Sequence, residues 1–191
     1  MSTYDNHYQE SNLFGDPYPE FVQFIEAWPE RGSALDFGCG QGRDALFLAE
    51  AGYEVTGLDL SSVGIEQMMA EAEQRGLTIR GIASDFYTWE FDQTYDLILF
   101  NSIFHFEKND RENEISLLKT ACKHLNPDGL LSLFIHKSVK KEKIVKDVIG
   151  QYPSETWQVV VDEYINYTYT EKKSNFKTDM QYNMYIVQRQ A

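Results

Sequence analysis

Short apolar runs alternate with segments of helical periodicity through most of this chain, and that alternation limits the fold more than any other feature of the sequence. "SALDF" (33–37), "YEVTGLDL" (53–60), "LTIRGIASD" (77–85), "YDLILFN" (95–101) and "LLSLFIH" (130–136) read as strands. Between them, "RDALFLAEAG" (43–52), "SVGIEQMMAEAEQRG" (62–76) and "RENEISLLKTACKHL" (111–125) read as helices, the first two closed by Gly52 and Gly76. Strands separated by helices of this length form βαβ units around a mainly parallel sheet. The nearly unbroken apolar run at 95–101 marks a strand covered on both faces. The expected architecture is α/β, a Rossmann-like doubly wound fold.

The two ends depart from this pattern. "PYPEFVQFIEAW" (17–28) places Phe21, Phe24, Ile25 and Trp28 on one stripe of a leading helix. "NPDG" (126–129) is a turn by composition, and "KSVKKEKIVK" (137–146) is an amphipathic helix with Val139, Ile144 and Val145 between solvated lysines. "TWQVVVDEYINYTYT" (156–170) and "DMQYNMYIVQRQ" (179–190) are β-rich and joined by "EKKSNFKT" without a helix, so an antiparallel edge hairpin brings the sheet to seven strands. Tyr164, Tyr167 and Tyr169 are expected on one face of that hairpin. The 191 residues suit one domain, with an N-terminal lid or helix segment (1–32), a cofactor-binding core (33–136), and a helix with C-terminal strands (137–191).

A formal net charge of -13 argues against a nucleic-acid partner, because such binding draws its affinity from Lys and Arg neutralising phosphates. The two cysteines, Cys39 and Cys122, give neither a disulfide framework nor a metal-ligand spacing, so no metal is expected. The polar opening "MSTYDNHYQE" is unlike a targeting peptide, and no run has the length of a membrane span. A cytoplasmic protein without a membrane partner, monomeric or homodimeric, is expected.

"LDFGCGQGRD" (35–44) joins the first strand to the first core helix with three glycines on alternate positions. In a doubly wound sheet this turn lies at the carboxyl ends of the strands, where ligands bind. A dinucleotide fingerprint requires its third glycine at 43, where Arg43 stands, and no Gly-Lys-Ser/Thr follows to make a P-loop. Asp36 precedes the first glycine, Asp59 ends the second strand, and Asp85 ends the third. Three strand-end acids beside one glycine loop suit a cofactor with an amino-acid tail, a ribose diol and an adenine. Each acid alone also suits a helix or turn cap.

This set resembles the class I S-adenosylmethionine-dependent methyltransferases over Ser33 to His136, and within them the small tellurite-resistance and thiopurine-type enzymes. Arg43 and the phrase "LAEAGYEVTGLD" carry the finer resemblance, and Arg43 joins the expected cofactor-binding set. The resemblance implies that Asp36, Gly38, Cys39 and Gly40 bind the methionine portion of S-adenosyl-L-methionine. Asp59 would bind the ribose hydroxyls, with Leu60 stacked on the adenine, and Asp85 and Phe86 would reach the adenine. Asn101 and Ser102, at the end of the fourth strand, would pass beneath the sulfonium. Cys39 is expected to be a small packed residue, not a nucleophile.

The implied reaction is methyl transfer to a small-molecule acceptor: a thiol, selenide or tellurite, amine or hydroxyl. A thiolate needs no base, whereas a hydroxyl or ammonium must lose a proton. His105 in "FNSIFHFEKND" is the candidate catalytic residue, as base or orienting donor, against the alternative of a ring packed between Phe104 and Phe106. Tyr4, Tyr8, Phe14, Tyr18 and Phe21 are expected to be core or to lid an apolar acceptor pocket. The strand end "FNSIF" lacks the Asn-Pro-Pro-Tyr type of motif associated with amino-group methylation of adenine or glutamine. Methylation of a protein or RNA, or cofactor binding without turnover, are the competing readings.

Overall fold

The structure is a computed structural model that describes residues 8, 13–171 and 176–191. Tyr4 and the side chain of Tyr169 lie outside the described residues. The fold is a seven-stranded α/β sheet, mainly parallel, with antiparallel strands at its C-terminal end. Two compact units, Met1–Trp89 and Glu90–Ala191, each have their own order of strands.

The first unit runs α1 (Pro19–Ala27), β1 (Ser33–Phe37), α2 (Arg43–Glu50), β2 (Glu54–Asp59), α3 (Ser62–Arg75) and β3 (Ile79–Ala83). Its strands are parallel in the order β3-β2-β1. Phe21 and Ile25 of α1, Leu35 and Phe37 of β1, Leu48 of α2, Leu58 of β2 and Met68 of α3 are buried, as the apolar periodicity requires. α1 has no basic residue in its last turn, and Arg31 serves instead: its guanidinium donates to Ile25 O (3.0 Å) and Ala51 O (2.7 Å), tying the ends of α1 and α2 together. α3 opens on Ser61, whose Oγ accepts the Gly64 N–H at 3.2 Å, and closes on Gly76 at φ 67°.

The second unit runs β4 (Tyr95–Asn101), α4 (Arg111–Lys123), β5 (Leu125–His136), α5 (Val139–Ile149), a single 3-10 turn at Ser154–Thr156, β6 (Trp157–Glu171) and β7 (Phe176–Arg189). Its strand order is β4-β5-β7-β6, with β4 and β5 parallel and the last two pairings antiparallel. "NPDG" is not a turn ahead of β5 but an irregularity inside it: Tyr95 pairs with Leu125 and Leu97 with Leu130, so the intervening residues bulge, with Asp128 at φ 63°. Val139 is 83% exposed, because it begins α5 at a position the apolar face does not reach, while Ile144, Val145, Val148 and Ile149 are buried.

Tyr164 and Tyr167 do not share one face of the hairpin. Tyr164 pairs with Asn183 and Tyr167 with Met180, an odd offset that puts the two rings on opposite faces of β6. Tyr164 donates to Glu142 Oε2 of α5 at 2.8 Å, whereas the Tyr167 ring meets Tyr182.

Replacing Ser61 with Ala should lower stability by about 1 kcal/mol through loss of the α3 cap. Denaturant midpoints with an unchanged slope check this; an unchanged midpoint contradicts it.

Candidate functional site

β1 ends in the glycine loop, and the first unit holds most of the expected site. Gly38 N–H and Cys39 N–H both donate to Leu58 O, at 2.7 and 3.2 Å, which seats the loop on the end of β2. Gly38, Gly40 and Gly42 are all left-handed, at φ 72°, 53° and 89°. At Gly40 a Cβ would stand 2.6 Å from the Tyr8 hydroxyl, and at Gly42 it would collide with the Met68 side chain, so a larger residue at either position must displace that side chain and strain a left-handed backbone. Asp59 ends β2 with both carboxylate oxygens fixed: Oδ2 accepts Gly40 N–H at 2.9 Å and Oδ1 accepts Ser61 N–H at 2.7 Å. The same residue therefore holds the loop and the start of α3.

Asp36 is 2% exposed, and its Oδ2 has no hydrogen-bond partner. Burial pushes its pKa well above the usual carboxylate range; neighbouring Asp44 and Asp59 push the same way, against the pull of Arg43. Arg43 itself is engaged by Asp44 through two contacts, 3.2 Å from Nε and 2.7 Å from Nη2, and its guanidinium lies 4.7 Å over the Tyr18 ring. Burial opposes its charge, but Asp44 more than compensates and raises its pKa. Cys39 is buried, and burial, Asp36 and Asp59 together push its thiol pKa well up, so it is protonated at neutral pH and a poor nucleophile.

Beyond Asp59, Leu60 is 53% exposed, an apolar side chain presented to solvent beside the fixed carboxylate. Ser84 N–H donates to Asp59 O at 2.9 Å, which brings the end of β3 to the same rim. Asp85 is exposed and accepts Tyr87 N–H at 2.9 Å, and Phe86 packs edge-on against Phe37 at 6.5 Å. This donor and acceptor set fits a nucleoside with an amino-acid tail. The orphaned Asp36 oxygen matches an ammonium, Asp59 matches a diol, and Leu60 offers an apolar surface to a base.

The remaining expected residues belong to the second unit. Asn101 ends β4, and its Oδ1 accepts the Ser102 hydroxyl at 3.1 Å. Ser102 is left-handed at φ 62° and donates its N–H to Phe134 O at 3.0 Å. Phe104 and Phe106 are buried and stacked, with centroids 5.4 Å apart. His105 is exposed, so its ring is not packed between them. One residue that sequence reasoning missed sits behind this loop. Glu114 of α4, 1% exposed, accepts His105 N–H at 2.7 Å on Oε1 and Phe106 N–H at 2.5 Å on Oε2. In the sequence it is one of several acids opening a helix. Among the described residues no cluster suits a metal ion, and no helix is long and apolar enough to cross a membrane.

Comparison with known proteins gives consistent results. The family model described as a methyltransferase domain matches residues 34–129. The chain is 34% identical over 93 residues to the 2-heptyl-1-hydroxyquinolin-4(1H)-one methyltransferase of Mycobacteroides abscessus, covering 48% of this chain and 41% of that protein. It spans about half the length, or less, of curated relatives such as this one and YqeM of Bacillus subtilis. TehB from Haemophilus influenzae superposes with a TM-score of 0.72 at 20% identity, covering 98% of this chain and 66% of that one. The N-methyltransferase NodS from Bradyrhizobium japonicum, solved with S-adenosyl-L-homocysteine, gives 0.69 at 14% identity and covers 99% of both chains.

The state of Asp36 has a thermodynamic consequence. Its raised pKa means that the folded protein binds this proton more tightly than the unfolded chain. Stability therefore falls as pH rises from the ordinary carboxylate pKa toward the raised one, and the full penalty applies above it. Asp36→Asn should remove that fall and stabilise the ligand-free protein above the raised pKa by roughly 1–3 kcal/mol. Urea midpoints across the acidic to neutral range test this; parallel curves for variant and wild type contradict it.

Proposed function

Since the chain belongs to the S-adenosylmethionine-dependent methyltransferases, we propose that it transfers a methyl group from that cofactor to a small-molecule nucleophile: a thiol, selenide or tellurite, amine or hydroxyl. The observation that carries this reading is the partnerless Asp36 oxygen beside a glycine loop that Asp59 holds in place. When bound, the cofactor supplies an electrophilic methyl on a sulfonium. Asp36, with the backbone of Gly38, Cys39 and Gly40, holds the amino-acid tail, and Arg43 with Asp44 and Tyr18 braces the loop. Asp59 receives the ribose hydroxyls, Leu60 and Phe86 flank the adenine, and Asp85 accepts from its amine.

Charge disappears at sulfur during transfer, so much of the catalytic effect is positional, on the order of 7–11 kcal/mol in favourable cases. His105 takes a proton from an acceptor that needs to lose one, and its exposure leaves the imidazole accessible for that role. The small-molecule assignment draws support from the Mycobacteroides abscessus relative and from the net charge of -13, which disfavours an RNA acceptor.

The direct experiment is a methyl-transfer screen read out by S-adenosylhomocysteine formation, over acceptors grouped by nucleophilic atom. Product with at least one group is expected; cofactor binding with no product from any group contradicts turnover. Asp59→Ala should weaken S-adenosylmethionine binding by roughly 1.5–3 kcal/mol, about tenfold to a hundredfold, in calorimetric titration. An unchanged affinity removes Asp59 from the site.

A further inference from the structure

The loop that follows β4 adopts an unfavourable backbone at both ends. Ser102 and Phe106 have φ of 62° and 52°, a region that side chains bearing a Cβ disfavour. Such a conformation persists only where surrounding contacts overdetermine it. At Ser102 the contact is its N–H to Phe134 O; at Phe106 it is the Glu114 carboxylate, whose two oxygens accept the consecutive N–H groups of His105 and Phe106 at 2.7 and 2.5 Å. Burial makes these charge-assisted bonds strong and their loss costly. Phe100, Phe104 and Phe106 form a column on the inner side, with centroid separations of 4.7 and 5.4 Å. With Phe104 and Phe106 buried and the backbone between them clamped, the His105 side chain is left on the exposed side.

We propose that Glu114 is a positioning residue that aims the His105 imidazole at acceptors which must lose a proton, the hydroxyl and ammonium class. This rests on the methyl-transfer reading given above. In the assisted step the acceptor oxygen forms its bond to the methyl carbon, the carbon–sulfur bond breaks with its electron pair returning to sulfur, and the hydroxyl proton passes to His105. A thiolate acceptor has no proton to give up and is indifferent to where the imidazole points. Glu114 therefore separates two acceptors of the same shape.

The test compares Glu114→Gln with wild type, using phenol and thiophenol as acceptors at a pH where thiophenol is already a thiolate. Glutamine keeps the size but turns an N–H donor toward a backbone N–H. Amide exchange at His105 and Phe106 should rise about tenfold or more, while S-adenosylhomocysteine affinity stays within about twofold. kcat for phenol should fall at least about tenfold, while that for thiophenol stays within about threefold. Glu114→Gln in a His105→Ala background should add nothing further to the phenol defect. An equal fall for both acceptors, unchanged exchange, or additive defects would overturn the proposal. If Glu114→Gln fails to fold, Glu114→Asp withdraws the same charge by one methylene and gives the same comparison. A wild type that binds S-adenosylhomocysteine and methylates neither probe contradicts the acceptor reading instead, and amide exchange still decides the clamp.

Discussion

Asp59 is the carboxylate on which the first unit's site end is built. It accepts one N–H from the glycine loop and one from the start of α3, so two turns that follow different strands share one anion. Backbone N–H groups at a helix start and in a left-handed turn carry partial positive charge, and a buried carboxylate neutralises both without a counter-ion. The loop's glycines then follow from geometry: with the loop held against Asp59, Gly40 lies under the Tyr8 hydroxyl and Gly42 lies on Met68. Local folding of both turns thus draws on the same side chain that we propose receives the ribose hydroxyls.

Around that anchor the structure accepts an electrostatic cost. Asp36, Asp44 and Asp59 crowd near one another, and Arg43 compensates through Asp44 while Asp36 keeps an oxygen without a partner. Buried polar side-chain atoms are ordinarily hydrogen-bonded, so this oxygen needs an explanation. A cationic ligand group would resolve the imbalance, which is why we assign this atom to the cofactor's ammonium.

Much of this was legible in the sequence because it is local. β1 and β4 fall on the expected residues, and helices α2 and α3 stop just before the glycines that end them, since apolar period and capping act over a few positions. Features that depend on distant partners were not legible. "NPDG" has a turn's composition, but the register between β4 and β5 absorbs it as a bulge within a strand. Tyr164 and Tyr167 separate onto two faces because their spacing is odd, a point the general richness in tyrosine conceals. Glu114 was invisible because a glutamate in a helix's first turn is ordinarily solvated. Only the fold shows that it turns inward, to two amides eight and nine residues earlier in the chain.

We propose that the glycine loop and its acids hold a nucleoside with an amino-acid tail. Isothermal titration of the ligand-free protein with S-adenosylhomocysteine, alongside a nicotinamide dinucleotide, tests it most directly. Saturable one-to-one binding of S-adenosylhomocysteine, with no heat from the dinucleotide, is the predicted result. Binding of the dinucleotide with none of S-adenosylhomocysteine would contradict it.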